Sequence, residues 1–487
     1  FWLKAGRRPM SMRLSSFFLV CGCLSIDLCG AQIYDFNGAE LPDSKTLQTL
    51  YIYYVFSAEE SPGRKGNATP YVEFRGLTPS PTTLTGIAVS IVRYEEFWDT
   101  DDPPNFCLDS APSDQRVYTQ LLDPGSPQTA RQEIRETGIY VLVLSNCGES
   151  HDGVINGQVV VKNTYGYLPA IEYKKMPFCF GLFFVYLTLG LIWATLCIRW
   201  RHELLKIQKC ISVVLFIGFV ECVLWYSFLR DWNWEGRRSR PLFLLAVACT
   251  VAKSVFSYML VLVASLGWGV TRPFLDKWTV RLIWLLSLLY IVLDSIRQYV
   301  LSFRHSHELP AALVAFCVLP MSLLNGLIFA WVFTALSSLM EMLEERRQTH
   351  TLLLFQRLWH ILVVALTAAA ISIGIDIFET VPAQSARWKY HWIFADVGAH
   401  CIFLSVLVCV MYLWAPNGSS LRYAYSDDCD IRESMWKNLG DGEDVTDDRD
   451  AFWDSECPAT QGSFAMSPDV MGKDPRALAV TELGPMG

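Results

Sequence analysis

The hydrophobic pattern changes character near residue 177. Before that point apolar residues come in short runs broken by polar clusters; after it they come in seven long blocks. The blocks are Pro177–Ile198, Ile207–Leu229, Pro241–Ser265, Val280–Leu301, Pro310–Leu336, Leu352–Ile377 and Trp392–Trp414. A helix needs about 20 apolar residues to cross ~30 Å of hydrocarbon, and each block is long enough. Backbone polar groups in lipid must be satisfied within a helix or a closed barrel. The runs are continuous rather than alternating, so they predict a membrane α-helical seven-helix bundle.

The short runs upstream predict an all-β domain. They are Leu50–Phe56, Tyr71–Phe74, Ile87–Tyr94, Val117–Leu122, Ile139–Leu144 and Gly157–Val161. Turn clusters such as Ser61-Pro62-Gly63, Asp101-Asp102-Pro103-Pro104 and Asp123-Pro124-Gly125 separate them. Regularly spaced short strands of this kind indicate a sandwich. Ile139–Leu144 is apolar at every position and reads as a central strand. Gly166–Ala170 is a short linker into the first span, which predicts tight coupling of the two domains.

At the N-terminal end, Arg13 precedes the apolar run Leu14–Leu24, and Gly30 and Ala31 follow. Charged, apolar and small in that order is a secretory leader, with a start at Met10 or Met12. The domain division is therefore 1–31 upstream residues and signal peptide, 32–167 lumenal β domain, 168–416 seven-helix bundle, and 417–487 tail. A leader followed by seven crossings places the N-terminus in the lumen and the C-terminus in the cytosol. The cytosolic loops with the span ends beside them, counting Arg281 and Arg357, hold nine Lys/Arg against seven on the other side, a small positive-inside bias.

Composition refines this picture. Of 487 residues, 52% are hydrophobic and 18% charged, as suits a membrane protein with soluble parts. The net charge of −8 is concentrated in the tail, where fifteen Asp/Glu face five Lys/Arg from Asp427 onward. Such a tail cannot bury enough apolar surface to offset its chain entropy and reads as disordered. Trp436, Phe452 and Trp453 within it could serve as docking points for cytosolic sorting or coat proteins. No basic face suggests nucleic-acid binding. Most cysteines lie in apolar spans as small hydrophobes. Cys107 and Cys147, alone in the lumenal domain, suggest one disulfide. Asn67-Ala68-Thr69 is an N-glycosylation acceptor.

Candidate chemistry lies in the ionisable residues inside the spans, since charge in a bilayer is costly and marks function by default. These are Glu221, Lys253, Asp294, Asp376, Asp396 and His400, with Asn325 as a neutral polar addition. At 1.5 Å per residue, Glu221 and Lys253 lie roughly 13 and 18 Å from the lumenal ends of their helices, and Asp294, Asp396 and His400 about 10, 8 and 14 Å. The charges crowd the lumenal half, which suggests a polar cavity open to the lumen or its leaflet. Lys253 would sit at the cavity floor, with Glu221 or Asp396 as counter-ion. Four readings stay open: a structural ion pair, a pocket for a lipid head group or other amphiphile, a cation path, and a proton relay through His400. Neither a nucleophile–base pair nor a metal-ligand set is present, so no enzyme and no cofactor is expected.

Five stretches together resemble the GOLD-domain seven-transmembrane family, also called lung seven transmembrane receptor-like, in its transmembrane protein 87 and fungal branch. They are Gly166–Ala170; Glu203–Gln208 with Glu221; Lys253 with Ser265–Gly269 and Pro273; Trp331–Leu336 with Arg346-Arg347; and Leu413–Pro416 with Arg422–Ser426. The resemblance covers residues 165–426 well and the β domain by pattern. This chain departs from the branch at Asn325, where an acidic residue is common, and at Ser254 and Tyr258, where basic residues are common. The resemblance implies a GOLD-like sandwich and a Golgi or endosomal membrane protein of the secretory pathway. Its lumenal domain would bind cargo or a protein partner. The alternatives it carries are a non-selective cation channel or its regulator and, third, an orphan G-protein-coupled-type receptor. The third span lacks Asp-Arg-Tyr at its end and the seventh lacks Asn-Pro-x-x-Tyr, both against the receptor reading.

Overall fold

The computed structural model describes residues 32–43, 47–62, 68–81, 86–94, 117–122, 128–148, 153–201, 204–268, 275–303, 311–380 and 388–416. The leader, Asn67, Cys107 and the acidic tail lie outside the described residues.

Among the described residues, eight antiparallel strands form the first domain: β1 Ile33–Glu40, β2 Leu47–Val55, β3 Tyr71–Ser80, β4 Ile87–Arg93, β5 Val117–Leu122, β6 Gln128–Glu133, β7 Gly138–Asn146 and β8 Val154–Lys162. They make two four-stranded sheets, ordered β1-β8-β3-β6 and β2-β7-β4-β5. The inner faces meet over Phe36, Tyr51, Tyr53, Phe74, Tyr140 and Leu142, all nearly or fully buried. The sequence predicts six of the eight strands. The two that it misses, β1 and β6, are the two edges of one sheet. An edge strand has one neighbour, so polar side chains suit it, and Gln128–Glu133 carries almost no apolar signal. Ile139–Leu144 falls inside β7, an interior strand buried at every position except the half-buried Ile139, as its apolar character predicts.

Among the described residues, the second domain contains seven helices long and apolar enough to cross a membrane. The first span is a short turn α1 Ala170–Tyr173 and then α2 Lys175–Arg199. Spans two to six are α3 Lys206–Glu235, α4 Arg240–Ser265, α5 Lys277–Phe303, α6 Ala311–Glu345 and α7 Thr349–Thr380. The seventh is composite: α8 Trp388–Trp392, a π-helical turn Ile393–Gly398 and α9 Ala399–Leu413. The fifth span runs past its predicted end at Leu336 as a charged helical extension to Glu345. The second span runs two turns past its predicted end, through Arg230–Glu235. Pro241 stands in the first turn of α4, where its missing N–H is harmless.

The domains meet in a joint built largely by two asparagines. Asn163, just after β8, accepts from Phe56 N (3.3 Å) and donates to the Leu168 carbonyl (3.0 Å). Asn233, near the end of α3, accepts from Leu168 N (3.0 Å) and donates to the Tyr165 carbonyl (3.2 Å), while its own carbonyl accepts from Tyr167 N (3.0 Å). Phe56 and Tyr54 of the sandwich pack on Trp388, with ring centroids 5.4 and 5.5 Å away. Asp35 pairs with Arg237 (2.9 Å) and Glu60 with Lys389 (2.5 Å) across the same joint. Buried hydrogen bonds leave no slack here, so the linker is fixed.

Gly166 is required at this joint. Its φ is +146°, and a Cβ there would lie 2.4 Å from Asn233 Oδ1. Gly166→Ala is expected to destabilise the protein by about 1–3 kcal/mol through overpacking. Gly181, on α2 with open space around it, is the control: Gly181→Ala is expected not to lower the melting temperature. Thermal unfolding of both variants in detergent checks the contrast.

The hydrogen bond from Lys389 holds the Glu60 carboxyl below its ordinary value of 4.5. A depressed folded value means that the contribution to stability is complete above that ordinary value and disappears as pH falls through the lowered one. Glu60→Gln should therefore melt below the parent at neutral pH, and the two melting curves should converge in acid.

Candidate functional site

Glu221 on α3 and Lys253 on α4 form the centre of the bundle. Trp225 Nε1 donates to Thr250 Oγ1 (2.9 Å) and sets the register of these antiparallel helices. One turn toward the far side from the sandwich, Lys253 Nζ lies 2.5 Å from Glu221 Oε2. The contact is an ion pair. It is enclosed by protein: Lys253 is 7% exposed and Glu221 2%. The ring of Phe403 on α9 lies 5.0 Å from the ammonium, a cation–π contact that adds a third helix. Tyr186 of α2 closes the fourth side. Its ring presses on Gly218, one turn from Glu221, where a Cβ would lie 2.5 Å from Tyr186 Cε1.

The pairing agrees with helix lengths as observed. Measured from Glu235 and Arg240, at 1.5 Å per residue, Glu221 and Lys253 lie roughly 21 and 20 Å deep, at one level. Counted from the predicted span ends at Leu229 and Pro241, the same two residues fall at different levels, roughly 13 and 18 Å.

Other predicted site residues have their own partners. Asp396 does not pair with Lys253; it lies 3.0 Å from Lys175 on α2, which Glu172 also approaches to 3.1 Å. Asp396 stands in the π-helical turn, where the extra residue changes its direction. Lys175 was missed because it precedes the apolar block; the Glu172–Lys175 spacing of three residues was its available signal. Asp294 is fully buried and takes two hydrogen bonds from Arg297, at 3.0 and 2.6 Å, three residues along the same helix. Asn325 Oδ1 is buried without a hydrogen-bond partner. His400 packs against Phe178 at 5.8 Å and stands within electrostatic reach of Lys253, Glu221, Asp396 and Lys175. The side chain of Asp376 lies outside the described residues. In the sandwich, Cys147 is disulfide-bonded, while Cys107 lies outside the described residues.

The carboxylates thus do not form a row of free acceptors. Glu221, Asp294 and Asp396 each face a cation. Chemically the centre offers an enclosed ammonium with one anionic partner, a neighbouring imidazole and aromatic walls.

Removing one member of a buried pair leaves a bare charge, at a cost of about 3–5 kcal/mol, whereas replacing both by apolar groups is often neutral. Lys253→Met and Glu221→Leu are each expected to destabilise by that amount. The double variant should recover most of the loss, as read from a double-mutant cycle of thermal melts.

The stretches that carry the family resemblance converge in space. Lys206 lies 5.3 Å from the Trp268 ring, and Gln208 Nε2 donates to the Trp414 carbonyl (3.1 Å). These contacts close the far end of the bundle, as Gly166 and Asn233 close the near end. Comparison with known proteins agrees. Residues 174–421 match the family described as GOST, seven transmembrane domain. Human transmembrane protein 87B is 25% identical over 341 residues, 68% of this chain and 60% of the relative. Transmembrane protein 87A of Xenopus tropicalis is 27% identical over 301 residues, 61% and 54% respectively. Membrane protein PTM1 of Saccharomyces cerevisiae is 23% identical over 330 residues, 66% and 62%. The chain spans less than two thirds of the length of these curated relatives. With a matched segment covering half the chain, all seven spans and the centre between them, the chain belongs to the GOST seven-transmembrane family.

Proposed function

We propose that this multi-pass protein acts in membrane trafficking in the Golgi–endosomal system, with the sandwich lumenal and the residues after Trp414 cytosolic. The sandwich receives a lumenal protein partner or cargo, the acidic tail recruits sorting or coat proteins, and the bundle holds an amphiphile at Lys253. Compartment, orientation and trafficking role rest on the family resemblance and the leader. A Cys107–Cys147 disulfide and glycosylation at Asn67 accompany a lumenal sandwich.

One observation carries the amphiphile reading: a lysine enclosed in a membrane bundle with one exchangeable carboxylate partner. Burying such a pair brings little net stability compared with apolar packing, so stability alone gives weak reason to keep it. An anionic group entering the centre would take Lys253 and strand Glu221. A zwitterionic head group serves both, with phosphate on Lys253 and the amine on Glu221. The joint and this centre share α3: Asn233 and Glu221 are about 18 Å apart along that helix. A partner on the sandwich therefore has a direct mechanical route to the pair.

The test uses the Lys253→Met/Glu221→Leu double variant, which should stay folded. Parent protein purified in mild detergent should retain phospholipid and the double variant should lose it, by mass spectrometry of extracts. Equal phospholipid in both would overturn the reading.

A further inference from the structure

The end of the second span carries a charged patch that neither the joint nor the central pair uses. Lys209 and Arg230, both exposed on α3, are about 32 Å apart at 1.5 Å per residue. That separation matches the ~30 Å of hydrocarbon, so the two cations bracket the bilayer, and Arg230 stands at the phosphate level of the sandwich-side leaflet. No carboxylate lies three or four residues from Arg230, the positions that would face it on a helix. Among the described residues no ion pair is recorded for it, and the pairs nearby involve Arg237 and Lys253.

One turn further along the same helix face is Trp234, 81% exposed. Its body is apolar and its indole N–H is a donor, the combination enriched at the head-group layer. Between 230 and 240, four arginines face two carboxylates, Asp231 and Glu235. Arg237 keeps 58% of its side chain exposed while paired to Asp35 of β1, so the sandwich edge overhangs this corner.

We infer that Arg230 and Trp234 form a binding site for an anionic phospholipid head group in the sandwich-side leaflet. The arginine takes the phosphate through its planar donor fork. Trp234 lies against the glycerol and upper acyl region, and Arg237 adds positive potential from beneath the sandwich edge. The site is independent of Lys253 and of any lipid held inside the bundle.

The test titrates the purified full-length chain, in neutral detergent, with short-chain phosphatidylserine, short-chain phosphatidylcholine or inorganic phosphate. The readout is the rise in melting temperature, since a ligand that binds the folded state stabilises it by mass action. Phosphatidylserine should raise the melting temperature of the parent more than phosphatidylcholine does. Arg230→Gln should need about fivefold more phosphatidylserine for the same rise, the weight of one surface cation toward an anionic lipid. Arg230→Lys should fall between them, because it keeps the charge and loses the fork. Arg230→Gln should melt like the parent without lipid, which separates a binding defect from a folding one. Coincident phosphatidylserine titrations for parent and Arg230→Gln would overturn the site. An equal rise with inorganic phosphate would overturn its assignment to a lipid.

Discussion

A charge in the interior of a membrane bundle must find its opposite there, and this requirement orders the helices. The Lys253 ammonium in an apolar interior calls for a carboxylate beside it. Glu221 supplies one at 2.5 Å, which ties α3 to α4 one turn from the Trp225–Thr250 hydrogen bond. The same rule operates twice more, with Asp294 served by Arg297 and Asp396 by Lys175. These local solutions differ in kind. The Arg297 pair lies within one helix and constrains nothing else, whereas the Lys175 and Lys253 pairs tie separate helices together.

This distribution weighs on the possible activities. A cation path lined by carboxylates needs acceptors that are not already neutralised, and Glu221, Asp294 and Asp396 each have a cation within contact distance. A ligand carrying both signs of charge can instead exchange into the Glu221–Lys253 contact without stranding either group. In the proposed function, Phe403 and Tyr186 would furnish apolar walls for the rest of the amphiphile.

The legible and illegible parts of this fold separate along physical lines. Seven continuous apolar blocks announce their helices because nothing else satisfies a backbone in lipid. The interior strand β7 is equally plain, since both of its faces are covered. β1 and β6 are hidden because an edge strand tolerates Asp35, Asn37, Arg131 and Gln132. At the centre, the residue types were visible and one pairing was among the two expected. Its alternative failed at Asp396 because a π-helical turn has no sequence signature that hydropathy can read, and because Lys175 lies outside the apolar block. Asn233 was invisible for another reason: its role depends on the chain returning from β8 to the end of α3, a meeting between residues nearly seventy positions apart.

The two ends of the bundle are held by different forces. The far end is closed by neutral and aromatic contacts, Gln208 with Trp414 and Lys206 over Trp268. The sandwich end combines buried asparagine bonds with ion pairs that remain partly in solvent, such as Glu60 and Lys389 at 52% and 31% side-chain exposure. Solvent-exposed pairs contribute little and are screened by salt, so the weight of the joint falls on Asn163, Asn233 and the rings around Trp388. A force applied to the sandwich is therefore delivered to the end of α3 and the start of α8. α3 carries Glu221, and α8 leads into the π-helical turn that carries Asp396. The joint thus bears on two acids of the bundle interior, and it does so through buried hydrogen bonds and packing, which salt does not weaken.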